Sequence, residues 1–218
     1  MSVDYESQIA ALTQPGTGKF AVAKGLVRTS EEQPELLVPH FGTFCHLLEA
    51  ENSIIRWSAI RIVANLAAAD RRLRLDRILD RYLAPILGPA MITATTTIQG
   101  AARIARSRKR LAPRLVMAML QVERGNYQTA ECRNIAIGHA LKALSTLDPT
   151  MSRAQEVLSF AERQFDNPRP GTRRLAAAFL KPMTRGPSNA GSAHSHNWST
   201  RYRRSLKLQA VHKITLFR

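Results

Sequence analysis

Apolar residues recur along most of the chain at intervals of three or four positions, with polar residues between them. Segment 54–69 shows the pattern clearly, with apolar positions at Ile55, Ala59, Ile62, Val63 and Leu66. This spacing predicts amphipathic α-helices. It predicts them over residues 2–12, 19–28, 34–50, 54–69, 73–87, 90–107, 111–123, 129–147, 152–165 and 170–180.

Three details of these helices carry specific expectations. Residues 93–98 are rich in β-branched side chains, which lose rotamer freedom in a helix, but the helical segments around them favour a helix here too. Ser53 is expected to cap the helix that follows it. The last helix has no partner after it, so an apolar side at Leu175, Phe179 and Leu180 is expected to need a cover.

A short motif returns about every 39 residues. It occurs at 55–60, 132–137 and 172–177, and it places an arginine at Arg56, Arg133 and Arg173. A weaker copy at 98–102 lies 38 residues after 60–64. Self-similarity at this period is typical of a helical solenoid, in which each unit buries its apolar faces against its neighbours. We therefore expect an all-α, right-handed α-solenoid of about four helix pairs.

The repeat resembles the HEAT and armadillo superfamily over roughly residues 19–183. The resemblance rests on paired amphipathic helices, a first helix rich in small residues, and the early arginine of that helix. Asn52-Ser53 and Asp166–Pro170 stand at the turns between units, where such repeats often place Asp, Asn or Pro. The third unit departs from the pattern, with Ala94 at the arginine position. The resemblance implies a HEAT/ARM-like domain over residues 1–183.

The charge of the chain is unbalanced, with a formal net charge of +16 and a pI near 11.1. Such a balance favours acidic partners, which include nucleic acid, anionic membrane surfaces and acidic proteins. Residues 184–218 hold seven Lys and Arg residues and no acid. Their composition predicts a disordered basic tail, with a nucleic-acid-binding or membrane-binding arm as the alternative.

Basic residues also cluster around the turn between the two helices of the third unit. No acid follows in the sequence until Glu123, and the cluster comprises Arg103, Arg106, Arg108, Lys109, Arg110 and Arg114. These side chains could hold phosphates without sequence preference, or they could serve only solubility. An earlier run of arginines is interleaved with acids, and Arg72 is expected to pair with Asp76 within one helix.

No catalytic, cofactor or metal site is predicted. Residues 15–20 resemble the end of a phosphate-binding loop, but Thr13 and Phe20 replace the glycine and hydroxyl residues that such a loop needs. His194 and His196 lack further ligands nearby in the sequence. Cys45 and His46 are neighbours, and neighbouring residues of a helix point to different sides.

The sequence predicts a soluble cytoplasmic protein, since Cys45 and Cys132 suit structural thiols and the N-terminus lacks an apolar secretory core. The predicted function is a non-enzymatic scaffold that binds another protein, whose identity stays open. The alternative is a non-specific DNA- or RNA-binding HEAT-like protein that resembles alkylated-DNA repair proteins in helix type and charge. Glycosylase activity itself is not predicted, because the sequence has only Trp57 and Trp198 and shows no aromatic-plus-acid site for an extruded base.

Overall fold

The computed structural model of the chain describes residues 4–148 and 153–184. All regular secondary structure in these residues is helical, and they form no strand. The all-α prediction is therefore confirmed for this part of the chain. The predicted disordered tail lies outside the described residues, apart from Thr184.

The helices follow one another with short connections. Their bounds are α1 (Tyr5–Ala11), α2 (Gly18–Glu32), α3 (Pro34–Leu37), α4 (Phe41–His46), α5 (Ser53–Leu66), α6 (Arg74–Leu83), α7 (Met91–Ser107), α8 (Ala112–Leu120), α9 (Ala130–Leu144), α10 (Ala154–Arg163) and α11 (Pro170–Thr184). Single 3-10 turns extend several of them, as at Ala84–Leu87 after α6 and Gln121–Arg124 after α8.

The helices divide into two sets by their packing. The first helices of the units are α2, α5, α7, α9 and α11, and each packs against the next one in this series. The second helices are α4, α6, α8 and α10. Of these, α4 packs on α5, α6 and α8 pack on α7, and α10 packs on α11.

Several hydrogen bonds join helical segments that are about 35 to 41 residues apart in the sequence. Asn65 donates to Ser30, 35 residues earlier, and Trp57 donates to Thr93, 36 residues later. Arg163 donates to Glu123 over 40 residues, and Tyr127 donates to the carbonyl of Ile86 over 41. These bonds hold together segments that are neighbours in space but not in sequence.

Two N-caps fix the beginnings of first helices. The side chain of Asn52 accepts hydrogen bonds from the backbone of Ile54 at 3.0 Å and of Ile55 at 3.2 Å, so the prediction that Ser53 is the cap is wrong by one residue. Thr129 accepts from the backbone N–H of Cys132 at 3.0 Å. Both contacts satisfy N–H groups that have no partner inside the helix.

The threonine-rich segment 93–98 is helical, as its neighbours predict. The hydroxyls of Thr95 and Thr96 donate to the carbonyl of Ile92, and that of Thr97 donates to the carbonyl of Thr93. These bonds satisfy the hydroxyls inside their own helix, which lets a β-branched run occupy the buried side of α7.

The single helix predicted over 34–50 is broken. The structure has α3, a 3-10 turn at Val38–His40, α4 and a second 3-10 turn at Leu47–Glu49. Pro39 explains the first break, because it lacks an N–H and its ring crowds the preceding turn.

Tyr82 of α6 packs tightly against α7. Its side chain is 1% exposed, and its hydroxyl donates to the carbonyl of Ile60 at 3.1 Å. Gly100 of α7 faces this ring, and any Cβ at position 100 would collide with the Tyr82 hydroxyl. The close approach therefore depends on a glycine at this position.

The last described helix buries most of its apolar side. Phe179 and Leu180 are buried, and α11 packs on both α9 and α10. Of the three apolar residues predicted to need a cover, Leu175 is exposed, at 36%. Two of the three residues are therefore covered.

Candidate binding groove on the first helices

A groove of about 500 Å³ is lined by residues of the first helices α2, α5, α7 and α9 and by Thr146 just after α9. Its walls carry the basic side chains Arg61, Arg103, Arg106 and Lys142. Among the described residues that line it, Glu31 is the only acid. Four cationic side chains against one carboxylate give the groove a positive potential, which favours an anionic ligand.

A line of polar contacts forms one end of the groove floor. The Asn65 amide donates to the Ser30 hydroxyl at 2.7 Å, and the guanidinium of Arg103 donates to the Asn65 side-chain carbonyl. Arg103 also lies 3.8 Å from the carboxylate of Glu31. Arg103 is therefore held in place from α5 and α2 and still keeps N–H groups directed into a partly exposed site.

The other end of the groove is formed where α7 meets α9. Arg106 donates to the Thr146 hydroxyl at 2.8 Å, and Gln99 lies 3.5 Å from Nδ1 of His139. Both contacts link residues 40 positions apart. Because one end joins α2 to α5 and α7 and the other joins α7 to α9, the groove spans four consecutive first helices.

His139 is the titratable group of the groove whose pKa departs from its ordinary value. Burial lowers the pKa of His139, and the positive charges of Lys142 and Arg169 lower it further. The imidazole is therefore neutral at neutral pH. An anion bound beside it would offset the two positive charges and raise its pKa.

Arg61 and Lys142 are the least constrained cations of the groove. Both are exposed, and neither side chain forms a hydrogen bond or ion pair with any residue that the structure describes. They differ in this from Arg103 and Arg106, which are oriented by partners. The site thus combines two fixed guanidiniums with two adaptable positive charges.

The structure divides the six basic residues that the sequence predicts as a nucleic-acid site. Arg103 and Arg106 line the groove, whereas Arg108 is only 14% exposed. Arg108 donates to the carbonyl of Ala67 at 2.6 Å and to that of Asp70, whose buried carboxylate lies 3.9 Å away. Arg108 therefore ties the turn between α7 and α8 to the preceding unit, and is not a surface charge.

The remaining members of the predicted cluster lie outside the groove lining. Arg110 pairs with Asp76, and Arg114 pairs with Asp80, so two of the charges are compensated by carboxylates of α6. Lys109 is exposed. The expected pair between Arg72 and Asp76 is not formed, because α6 begins only at Arg74 and Asp76 turns to Arg110.

Arg61, His139 and Lys142 were not among the predicted site residues. A signal for two of them is present in the repeat itself, because Arg61, Gln99 and His139 follow one another at intervals of 38 and 40 residues. Such equivalent positions on successive first helices lie side by side when the units stack in register. A cluster that is short in sequence, such as 103–114, carries no such information.

Other groups with raised pKa values are structural. Burial raises the pKa of the Cys45 thiol to about 11 and that of Tyr127 to about 12, and it also raises the pKa of Tyr82. All three groups stay protonated at neutral pH. Within the described residues no group of three His, Cys, Asp or Glu side chains is placed to hold a metal ion. His194 and His196, for which the sequence predicts no metal site, lie outside those residues.

The loop-like stretch 15–20 is the beginning of a helix. Gly18, Lys19 and Phe20 form the first turn of α2, and the Lys19 ammonium donates to the carbonyl of Gln14 at 3.2 Å. The Lys19 side chain therefore stabilises the turn that precedes α2.

No family model, curated protein or solved structure matches this chain. None of the described helices is both long enough and apolar enough to cross a membrane.

Proposed function

We propose that this chain is a non-enzymatic scaffold of the HEAT-like type, a right-handed solenoid of about four helix pairs that binds another protein in the basic groove. The groove is the observation that carries the proposal. It crosses four first helices and presents Arg61, Arg103, Arg106 and Lys142 against a single carboxylate. Clefts with one sign of charge concentrate and orient partners of the opposite sign.

The packing supports the solenoid part of the proposal. Each first helix packs on the next, and hydrogen bonds between the expected units join residues 33 to 41 positions apart. A stack of units builds a surface that no single unit possesses, because equivalent positions of neighbouring helices lie side by side. The groove residues Arg61, Gln99 and His139 occupy such positions.

The state of the titratable groups supports a non-enzymatic role. Catalytic acids and bases are usually tuned to titrate near the working pH. Cys45, Tyr82 and Tyr127 are instead held protonated by burial in the core. His139 does line the groove, but its described neighbours there include no acid apart from Glu31.

Capture from a native lysate with the full chain tests the proposal. The groove variant is Arg61→Glu, Arg106→Glu and Lys142→Glu, which reverses three groove charges. The control variant is Arg71→Glu, Arg72→Glu and Arg77→Glu, which makes the same change of net charge at exposed residues outside the groove lining. We expect one stoichiometric protein partner with the wild type and the control, and its loss with the groove variant. Equal recovery by all three proteins would overturn the proposal.

Nucleic-acid binding is the second candidate, and the net charge of +16 favours it. In this candidate the cations of the groove contact the phosphates. Arg108, Arg110 and Arg114, which the sequence also predicts as phosphate contacts, instead bind carbonyl and carboxylate groups of the protein. Four contacts to B-DNA predict a slope of about −3.5 for the logarithm of affinity against the logarithm of salt concentration. Three results together would favour nucleic-acid binding over the protein scaffold. The wild type would recover only nucleic acid after salt washing, its affinity would show that slope, and the groove variant would lose the binding.

A further inference from the structure

One exposed face of α5 and α7 is apolar at one end and basic at the other. At the N-terminal ends of these helices, Ile54 is 43% exposed and Ile92 is 48% exposed. The two residues are 38 positions apart, so they occupy equivalent places in successive units. Trp57 is half-buried beside them, and its indole N–H donates to the Thr93 hydroxyl at 3.0 Å, which fixes the ring across the two helices.

Helical spacing puts this apolar edge on the same face as the groove. Arg61 lies seven residues after Ile54, and Gln99 lies seven residues after Ile92, which is two turns in each case. At 1.5 Å per residue, Ile54 and Arg61 are about 10 Å apart along α5, and Ile92 and Arg103 are about 16 Å apart along α7. The apolar edge and the basic groove therefore form one continuous surface.

We infer that this surface binds an extended peptide segment of a partner protein, with bulky apolar residues at one end and Asp or Glu residues at the other. The inference rests on the proposed scaffold function and specifies its ligand. Charge complementarity selects the acids for the basic groove, and the exposed isoleucines supply the contact for the apolar end.

The distances set the spacing within the segment. An extended chain advances about 3.3 Å per residue, so three to five residues separate the apolar contact from the acidic one. A helix advances only about 1.5 Å per residue, so the same span would take about seven to eleven residues of a helical segment. The spacing between the apolar and acidic residues therefore distinguishes an extended segment from a helical one.

The observations disfavour two other occupants. A nucleic-acid strand is anionic along its whole length, so it would place charge against Ile54 and Ile92 and leave their apolar surface without a contact. The chain's own residues 184–218 contain no acid and seven cations, so they lack the charge to fill the groove. The segment therefore comes from another molecule.

Fluorescence anisotropy with labelled synthetic peptides and the full chain tests the inference. The probe is a twelve-residue peptide, a length of roughly 40 Å when extended. It carries two Leu residues and, three to five residues later, a run of Glu residues. Companion probes replace Leu by Ser, replace Glu by Gln, or scramble the order, and a single-stranded oligonucleotide of equal charge is measured alongside.

Protein variants separate the two ends of the surface. Ile54→Ser with Ile92→Ser removes the apolar edge, and Leu36→Ser with Leu87→Ser removes two exposed leucines elsewhere as the control. Arg61→Gln with Arg106→Gln weakens the groove. All six residues are exposed, and circular dichroism verifies that each variant keeps the wild-type melting transition.

We expect the complete probe to bind. Each substitution that removes the apolar or the charged contact, in the peptide or in the protein, should reduce the affinity about tenfold or more, which is the factor that burial of one large apolar side chain contributes. Equal affinity for the Ser-substituted peptide would overturn the inference and leave the scaffold proposal intact, with the groove as a plain anion site. Tighter binding of the oligonucleotide would overturn both. Absence of binding by every peptide would overturn the inference alone, because the lysate capture decides the scaffold proposal independently.

Discussion

Arg56 and Arg173 make the same contacts at corresponding places in two units. The guanidinium of Arg56 donates to the carbonyls of Ala50 and Glu51, six and five residues earlier, at 3.0 and 3.1 Å. Arg173 donates to the carbonyls of Asn167 and Pro168, again six and five residues earlier, at 2.8 and 3.0 Å. The arginine of the repeated motif thus closes the turn that enters a first helix.

Replacement of Arg56 by Ala should destabilise the fold. The carbonyls of Ala50 and Glu51 lose charge-assisted hydrogen bonds, so we expect a loss of about 1–2 kcal/mol in the free energy of unfolding. Arg61→Ala, one and a half turns further along the same helix, is the control. It removes an exposed cation without a described partner and should change the free energy by less than about 0.5 kcal/mol. Urea denaturation measures both, and equal losses would show that the turn does not depend on Arg56.

The motif shows what a periodic sequence can and cannot reveal. The period and the helix spacing predict the all-α fold, because each unit must place apolar residues against the next. Arg133 stands in the same motif, but its side chain makes no such hydrogen bonds with the residues that the structure describes, so the motif does not by itself fix the contact. Whether an arginine finds carbonyls within reach depends on the turn before it, which differs from unit to unit.

The basic cluster 103–114 shows a second limit. Its lack of nearby acids in the sequence predicts uncompensated charge, yet Asp76 and Asp80 reach Arg110 and Arg114 from 34 residues earlier. The charges of these residues are balanced between helices that are far apart in the sequence. A count of charges along the sequence therefore does not reveal these ion pairs. Such a count also does not reveal that Arg61 and Lys142 line the same groove.

Arg108 and Lys109 are adjacent in sequence, but their replacement by alanine should change the stability of the fold by very different amounts. Arg108→Ala leaves two carbonyls and the buried carboxylate of Asp70 without this partner, and we expect a loss of about 2–4 kcal/mol in the free energy of unfolding. Lys109→Ala removes an exposed charge and should cost less than about 0.5 kcal/mol. Chemical denaturation of the two variants side by side measures the difference. A stable Arg108→Ala protein would mean that this residue is a surface charge after all.

Gly100 and Gly25 form a second matched pair. A methyl group at position 100 would collide with the Tyr82 hydroxyl, which is fixed by its bond to Ile60, so Gly100→Ala should destabilise by about 1–3 kcal/mol. Gly25 lies inside α2 with open space at its Cβ position. Gly25→Ala should therefore stabilise by about 0.5–1 kcal/mol, because alanine loses less backbone entropy in a helix. Thermal melts of both variants test the pair, and a fall in stability for Gly25→Ala would be inconsistent with it.

His139 should make stability depend on pH. Its pKa in the folded protein lies below 6.5, so the unfolded chain binds the proton more readily than the folded one. The unfolding free energy of the wild type should therefore fall relative to His139→Gln as pH decreases below about 6.5, and the difference should be constant at higher pH. Urea titrations between about pH 5 and about pH 8 measure it. A wild type that gains relative stability on acidification would contradict the lowered pKa.

The same histidine should report on the ligand. The charged groups around it are Lys142 of its own helix, Arg169 before α11, Arg103 and Arg106 of α7, Arg61 of α5 and Glu31 of α2. A carboxylate or phosphate bound among them would raise the pKa of His139, so anionic ligands should bind more tightly as pH falls through that pKa. NMR titration of the imidazole with and without the acidic peptide measures the change. An unchanged pKa in the bound state would place the ligand away from the groove.

Site-specific photo-crosslinking tests the central claim most directly. A photoreactive phenylalanine analogue replaces Gln99 in the middle of the groove, and in a second protein it replaces Lys109, which is exposed but lies outside the groove lining. After irradiation in native lysate, mass spectrometry identifies the attached protein. The account predicts one protein partner attached from position 99, with the link in a segment of apolar and acidic residues, and little or none from position 109. Attachment of the partner from position 109 alone, or equally from both positions, would contradict it.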